Sequence, residues 1–170
     1  MRVLAIEQGK LLYMAVPRLA SPLPFFALEQ AHLGVPAAEA ATIEGSSRHG
    51  VPMRLEDMLP IDFIVCGSVA VSSSGVRIGK GAGYADLEFA LLLDLGLISE
   101  QTQIATSVHD VQVLDEALPE TSHDFRVDWI ATPTRVLRCP RVPRPTGLLW
   151  QELEPAQIAA IPALSSRRTS

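Results

Sequence analysis

Arg77-Ile78-Gly79-Lys80-Gly81-Ala82-Gly83-Tyr84-Ala85-Asp86 places glycine at three alternate positions immediately before a helical pattern. Glycine lacks Cβ, so the backbone there reaches positive φ and approaches a ligand closely. Successive N–H groups can turn inward and form a nest for an anion. The helix begins near Tyr84-Ala85, so its positive end faces the same place. Arg77 and Lys80 add what reads as mobile positive charge. Asp86, in the first helical turn, is placed to hold a divalent cation bridging phosphates. The spacing fits neither of the two familiar phosphate loops. A Walker A loop needs four residues before its Gly-Lys pair and then Ser or Thr, and a dinucleotide fingerprint needs GxGxxG. Here the pattern is GxGxG, and a glycine-rich turn without a ligand stays an alternative at this point.

The rest of the chain bounds what such a loop serves. With 170 residues, 48% of them hydrophobic and 19% charged, the chain suits one globular domain with a substantial core. Aromatic residues are 5%, so that core is aliphatic. The net charge of −5 carries no electrostatic footprint of a nucleic-acid binder. A phosphorylated ligand must then be held locally, by backbone N–H groups and a few cations. Cys66 and Cys139 are too few for a disulfide framework and form no CxxC pair. No basic-then-apolar leader opens the sequence, and Ile61 to Val71, the most apolar run, is too short to span a bilayer. The expectation is a cytoplasmic protein without a membrane partner.

Apolar runs predict strands at Lys10–Val16, Ile61–Cys66, Gln103–Val108 and Val127–Thr132. The Ile61–Cys66 run is unbroken, as in a parallel strand covered on both faces. Phe25–Leu33 reads as a short helix ended by Gly34-Val35-Pro36. Ala37–Met53 reads as a loop or frayed helix, and Arg54–Leu59 as one helical turn. Ala85–Leu95 is the clearest helix: Leu87, Ala90, Leu91 and Leu95 share a face, and Gly96 sits at the C-cap position. Pro140, Pro143 and Pro145 make their segment extended. Gly147–Trp150 reads as an edge strand and Ser165–Ser170 as disordered. Strand–helix–strand alternation argues for an α/β protein. Residues 1–150 read as a single domain and 151–170 as a partly disordered tail. His109-Asp110 closes an apolar strand, where parallel sheets present ligands, although a satisfied structural histidine accounts for it better.

Gly-x-Gly-x-Gly-Tyr-x-Asp preceded by Arg-Ile resembles the signature of the 5-formyltetrahydrofolate cyclo-ligase family. Other stretches follow in the family's order: Gly9-Lys10 with Pro17-Arg18, Ile61–Val65, Val108–Gln112, and His123-Asp124-Phe125-Arg126-Val127-Asp128. Gly83-Tyr84-Ala85-Asp86-Leu87-Glu88 and Thr132-Pro133-Thr134-Arg135-Val136 are closest to the synthetase domain-containing branch. The resemblance implies a three-layer α/β/α sandwich with a mostly parallel sheet. It implies ATP- and Mg²⁺-dependent closure of 5-formyltetrahydrofolate to 5,10-methenyltetrahydrofolate, in folate one-carbon metabolism. Arg77, Gly79, Lys80, Gly81 and Gly83 would then hold ATP, with Lys80 and Tyr84 at the reacting groups. Asp86 and Asp124 would bind Mg²⁺. Arg135 and Arg138 could meet a folate glutamate tail, but solvent is the better reading for both.

This chain also departs from the family pattern. Ala82 and Ala85 stand where many active members carry a basic and a second aromatic residue. The family's opening helix, with Lys-x-x-x-Arg, has no counterpart, and Met1–Ile6 reads like the interior of a longer member. These departures support an alternative, a non-catalytic nucleotide- or folate-binding module. They also lead to the expectation of a homo-oligomer that covers the missing N-terminal layer.

Overall fold

The computed structural model describes residues 1–168 and divides into two compact units. One comprises Met1–Met58 together with the chain from Glu152 onward, and the other Leu59–Gln151. No helix among the described residues is long and apolar enough to cross a membrane.

The first unit opens with α1 (Arg2–Glu7), β1 (Leu12–Ala15), β2 (Phe25–Leu28), α2 (Ala37–Ala40), α3 (Ile43–His49) and β3 (Val51–Met53). Its sheet is antiparallel in the order β1-β2-β3, with Leu12 opposite Leu28 and Phe26 opposite both Met14 and Pro52. Ile6, Met14, Leu28, Ala37, Ala40 and Ala41 form its core, so α1 and α2 pack on the sheet through small and aliphatic side chains. Phe25–Leu33, expected as a helix, is strand β2 followed by a 3₁₀ turn at Gln30–His32. Its bulky residues lack a helical stripe, and pairing on both edges outweighs local propensity. Ala37–Met53, which reads as a loop or a frayed helix, is two short helices and a strand. Thr42 starts α3 by accepting the Gly45 N–H at 2.8 Å. Gly45 is there because of space: a Cβ would lie 1.9 Å from the Glu39 carbonyl oxygen.

The second unit contains β4 (Phe63–Cys66), β5 (Ala70–Ser72), β6 (Arg77–Ile78), α4 (Tyr84–Asp94), β7 (Gln103–Ser107), β8 (Val113–Leu114), β9 (Trp129–Ala131) and β10 (Val136–Arg138). A four-stranded sheet runs β10-β9-β7-β4, with β4, β7 and β9 parallel and β10 antiparallel. A smaller sheet runs β6-β5-β8. Ile104, Thr106 and Ile130, all fully buried, sit on one face of the larger sheet. In α4, Leu87, Phe89, Ala90, Leu91 and Leu92 are buried, and the predicted C-cap is present: Gly96 has φ +67°, its N–H meets the Leu93 carbonyl, and the Leu97 N–H meets that of Leu92.

The molecule is thus a mixed α/β protein with several sheets. The parallel part is smaller than expected, since four of the seven described ladders are antiparallel. β4 lies at an edge, with Phe63 and Val65 exposed, and so is not covered on both faces as its composition suggested. Gly147–Trp150 forms no strand. It lies against α4, where the Leu148 N–H meets Asp94. The tail is also more ordered than expected over α5 (Pro155–Ala160) and α6 (Pro162–Arg168). Glu154 and Gln157 cap α5 reciprocally, and Ile158, Ile161 and Leu164 are buried. Residues 169–170, which the sequence reads as disordered, lie outside the described residues.

Gly45→Ala forces a methyl group onto the Glu39 carbonyl. A loss of roughly 2 kcal/mol or more is expected in chemical denaturation, against a few tenths for Gly34→Ala, where a Cβ meets nothing.

Candidate functional site

The glycine-rich loop lies between β6 and α4, as the pattern predicted. Gly81 has φ +84° and Gly83, the N-cap of α4, φ +66°. A Cβ on either meets nothing within 4 Å, so backbone conformation rather than crowding calls for glycine, and the space above them is open. Among the described residues, no backbone N–H from Gly79 to Gly83 donates within the protein. These donors and the α4 N-terminus remain available to an anion. Lys80 is exposed and makes no ion pair among the described residues; Tyr84 is half-buried.

Arg77 behaves differently from its expected mobile charge. Its side chain is 3% exposed, its Nη2 donates to Asp86 Oδ1 at 2.5 Å, and its guanidinium lies 4.0 Å from the centre of the Phe125 ring. Its Nε is buried without a hydrogen-bond partner. An orphaned donor on a buried cation costs free energy, and such groups cluster where a ligand or water completes the network. Phe125 stacks on Phe89 of α4 at 4.5 Å and donates its backbone N–H to Asp86. Arg77 therefore joins β6, α4 and the segment around Phe125 from beneath the loop.

Asp86 and Asp124 come close enough to feel each other. Burial raises the Asp86 carboxyl above its ordinary range, Arg77 opposes that, and the Asp124 charge adds to it. Asp124 Oδ2 accepts the Thr121 N–H at 2.7 Å and hydroxyl at 2.8 Å, which fixes its loop. No cluster of three or more potential metal-ligating side chains exists among the described residues. A divalent cation here would need ligand oxygens in addition to these carboxylates, as Mg²⁺ on a phosphate chain has.

The sequence reading gave no role to Glu88 or Phe125, and took Cys66 only as one of two buried or half-buried thiols. Glu88 lies one helical turn after Tyr84, is hemmed in by protein although not fully buried, and has no hydrogen-bond partner among the described residues. Desolvation pushes its carboxyl up to about 7, against the pull of Arg77. Cys66, at the end of β4, donates its thiol to the Ala105 carbonyl, and burial pushes it up to about 11, so it is an inert thiol. Phe125 provides the ring under Arg77. The i, i+4 spacing of Tyr84 and Glu88 was visible in the sequence; the others needed the tertiary contacts.

His109 and Asp110 take the structural role. His109 Nδ1 accepts the Val111 N–H, and Asp110 Oδ1 accepts the Thr132 and Thr134 hydroxyls at 2.7 and 2.6 Å. The hydroxyl of Thr134, then that of Thr132, lowers the Asp110 carboxyl below its usual range. Arg135 and Arg138 are exposed, Arg138 over the Trp129 ring.

The model of the 5-formyltetrahydrofolate cyclo-ligase family matches residues 1–133. The methenyltetrahydrofolate synthase domain-containing protein of Mus musculus is 41% identical over 98% of this chain and 46% of its own length. That of Homo sapiens is 40% identical over 98% of this chain and 44% of its own. A 5-formyltetrahydrofolate cyclo-ligase of Mycolicibacterium smegmatis is 34% identical over 44% of this chain and 34% of its own length. The chain thus spans less than half the length of these curated relatives.

Two measurements check the site. Arg77→Met leaves the Asp86 charge without its partner and is expected to cost about 3 kcal/mol in urea denaturation. Glu88 binds its proton more tightly folded than unfolded, so its contribution is full below about pH 4.5 and fades as pH rises towards 7. Glu88→Gln is therefore expected to gain about 1–2 kcal/mol relative to the parent between pH 5 and pH 8, read as a few degrees of melting temperature.

Proposed function

The chain belongs to the 5-formyltetrahydrofolate cyclo-ligase family, and from this we propose that it closes 5-formyltetrahydrofolate to 5,10-methenyltetrahydrofolate with MgATP, in the cytoplasm, as part of folate one-carbon metabolism. The observation that carries the reading is the loop: unpaired N–H donors from Gly79 to Gly83 above a buried Arg77 whose Nε lacks a partner.

The residues present fit the phosphate chain and its metal. The N–H groups of the loop and the α4 N-terminus would hold phosphate oxygens, with Lys80 reaching them from solvent. Asp86 and Asp124 would take Mg²⁺. MgATP would supply a phosphoryl group that turns the formyl oxygen into a leaving group. The chain's contribution is to position and to neutralise charge, as phosphoryl transfer requires. Arg77 holds Asp86 and the α4 N-terminus in place, and Tyr84, opening α4, would line the folate side. Glycines at 81 and 83 keep the loop backbone open to close approach.

One observation favours a second reading, a module that binds nucleotide or folate without turnover. Asp86 is tied to Arg77 and Asp124 to Thr121, so neither carboxylate stands free for a metal.

Purified protein given MgATP and 5-formyltetrahydrofolate is expected to form 5,10-methenyltetrahydrofolate. Lys80→Ala is expected to slow it at least tenfold and Asp86→Asn about a hundredfold or more. Calorimetric binding of either ligand without product selects the second reading. Absence of both binding and product rejects both.

A further inference from the structure

Four side chains of the second unit touch one another in a row that begins beneath the glycine loop and ends on the proline-rich segment after β10. The Arg77 guanidinium lies 4.0 Å from the centre of the Phe125 ring, and Phe125 stacks on Phe89 at 4.5 Å with 23° between the planes. Arg144 lies over the Phe89 ring at 5.9 Å. The two arginine side chains are almost wholly buried, at 3% and 6% exposure. Each is paired with an aspartate, Arg77 with Asp86 and Arg144 with Asp128. A cation on an aromatic ring gains most where water is excluded, so two buried arginines on two stacked rings act as one connected unit.

The far end of this row is the better anchored. Arg144 donates to the Ser99 carbonyl at 3.1 Å, to the Thr102 carbonyl and to Asp128 Oδ2 at 3.2 Å. The same Oδ2 accepts the Ile104 N–H at 2.8 Å, which ties Asp128 to β7 of the larger sheet. Pro143 and Pro145 flank Arg144 and restrict its backbone, and the Cys139 N–H meets the Asp128 carbonyl at 2.8 Å. At the near end, Arg77 has Asp86, the Phe125 ring and an Nε without a partner. With so few hydrogen bonds to orient it, that guanidinium takes its place from the ring it lies on. Phe125 in turn leans on Phe89, and Phe89 has Arg144 against it. Arg144 lies beyond residues 1–133, the stretch that matches the family model.

We propose that Arg144 is a positioning residue for the glycine loop. It acts through the stacked Phe89 and Phe125 rings to hold the Arg77 guanidinium, and with it Asp86 and the start of α4, in the geometry that takes a phosphate chain. That last step rests on the reading of the loop as a MgATP site. The effect falls on affinity for the phosphate chain, because Arg144 itself reaches only the rings, Asp128 and the two carbonyls.

Two readouts test this, one of them without ligand. The Arg77 Nε–H is a buried proton beside a ring, so its NMR resonance and its exchange rate report where the guanidinium sits. Arg144→Met and, separately, Phe89→Leu are each expected to shift that resonance and to speed its exchange at least about tenfold. In calorimetry each is expected to raise the MgATP dissociation constant about fivefold or more. With Phe89→Leu in place, adding Arg144→Met is expected to change it by less than about twofold, because the link is already cut. Arg144→Lys keeps a cation for Asp128 and Phe89 and is expected to recover most of the loss. If Arg144→Met alone does not fold, Arg144→Met with Asp128→Asn leaves no unpaired buried charge and takes its place. An Arg77 resonance unmoved by both substitutions overturns the proposal. So do effects on affinity that multiply in the double variant, since Arg144 then acts independently of the rings. An unchanged affinity with a lower melting temperature overturns it too, because the row is then structural only. A parent chain that binds no MgATP rejects the reading of the loop, and the Arg77 resonance then decides on Arg144 by itself.

Discussion

The ion pair between Arg77 and Asp86 governs the arrangement of everything around it. Two charges are taken almost wholly out of water, which costs several kcal/mol per ion before their attraction and hydrogen bonds offset it. The cost is recovered by geometry. Nη2 reaches Asp86 directly, the guanidinium lies on Phe125, and the Phe125 N–H meets the same carboxylate. One short strand, the start of the longest helix and the segment around Asp124 are thereby held together. The loop between β6 and α4 has both ends fixed by this cluster and its own N–H groups unused.

That arrangement explains what the sequence could and could not show. The loop and α4 were legible because glycine at alternate positions and a buried aliphatic pattern ending in Gly96 are local signals. Each is set by backbone chemistry within a few residues. Arg77 was identified as part of the site, but its state was not. An arginine beside a glycine loop is read as a solvent-facing cation, and only the distant Phe125 and the ion pair with Asp86 make it a buried strut. Glu88 was hidden for the same reason, since its raised proton affinity comes from surrounding atoms supplied by other elements. The misread segments share a cause. Phe25–Leu28 is a strand because β1 and β3 both pair with it, and β4 is an edge although its residues suit a centre. Register and neighbours decide these points, and neither is written in the segment itself.

Gly79–Asp86 keeps the glycines, the tyrosine and the aspartate of the pattern the chain resembles but not all of its side chains. Ala82 and Ala85 remove a cation and an aromatic wall relative to the pattern the chain resembles, so Lys80 is the solvent-facing cation of the loop. On the proposed reading, the phosphate-binding task then falls mainly on backbone N–H groups and the α4 dipole, which no side-chain substitution deletes. Such a site tolerates sequence change better than one built on a cluster of basic residues.

The local charge balance argues for what this loop would accept. Arg77 and Lys80 bring two positive charges, and Asp86 and Asp124 two negative ones; Glu88 adds part of another near neutral pH. The side chains therefore offer no net positive charge, and the positive potential at the loop comes from oriented dipoles, which supply only partial charges. A bare polyphosphate would face two carboxylates without full compensation. The same phosphate chain carrying a divalent cation would reverse the roles, because the carboxylates would become attractive and Asp86 would have a competitor for its bond to Arg77. On the proposed reading, a metal held by Asp86 would take part of that carboxylate from Arg77, whose remaining N–H groups could then serve phosphate oxygens. On the proposed reading, the orphaned Nε and the paired aspartates would belong to one arrangement that takes a metal–phosphate complex rather than either component alone.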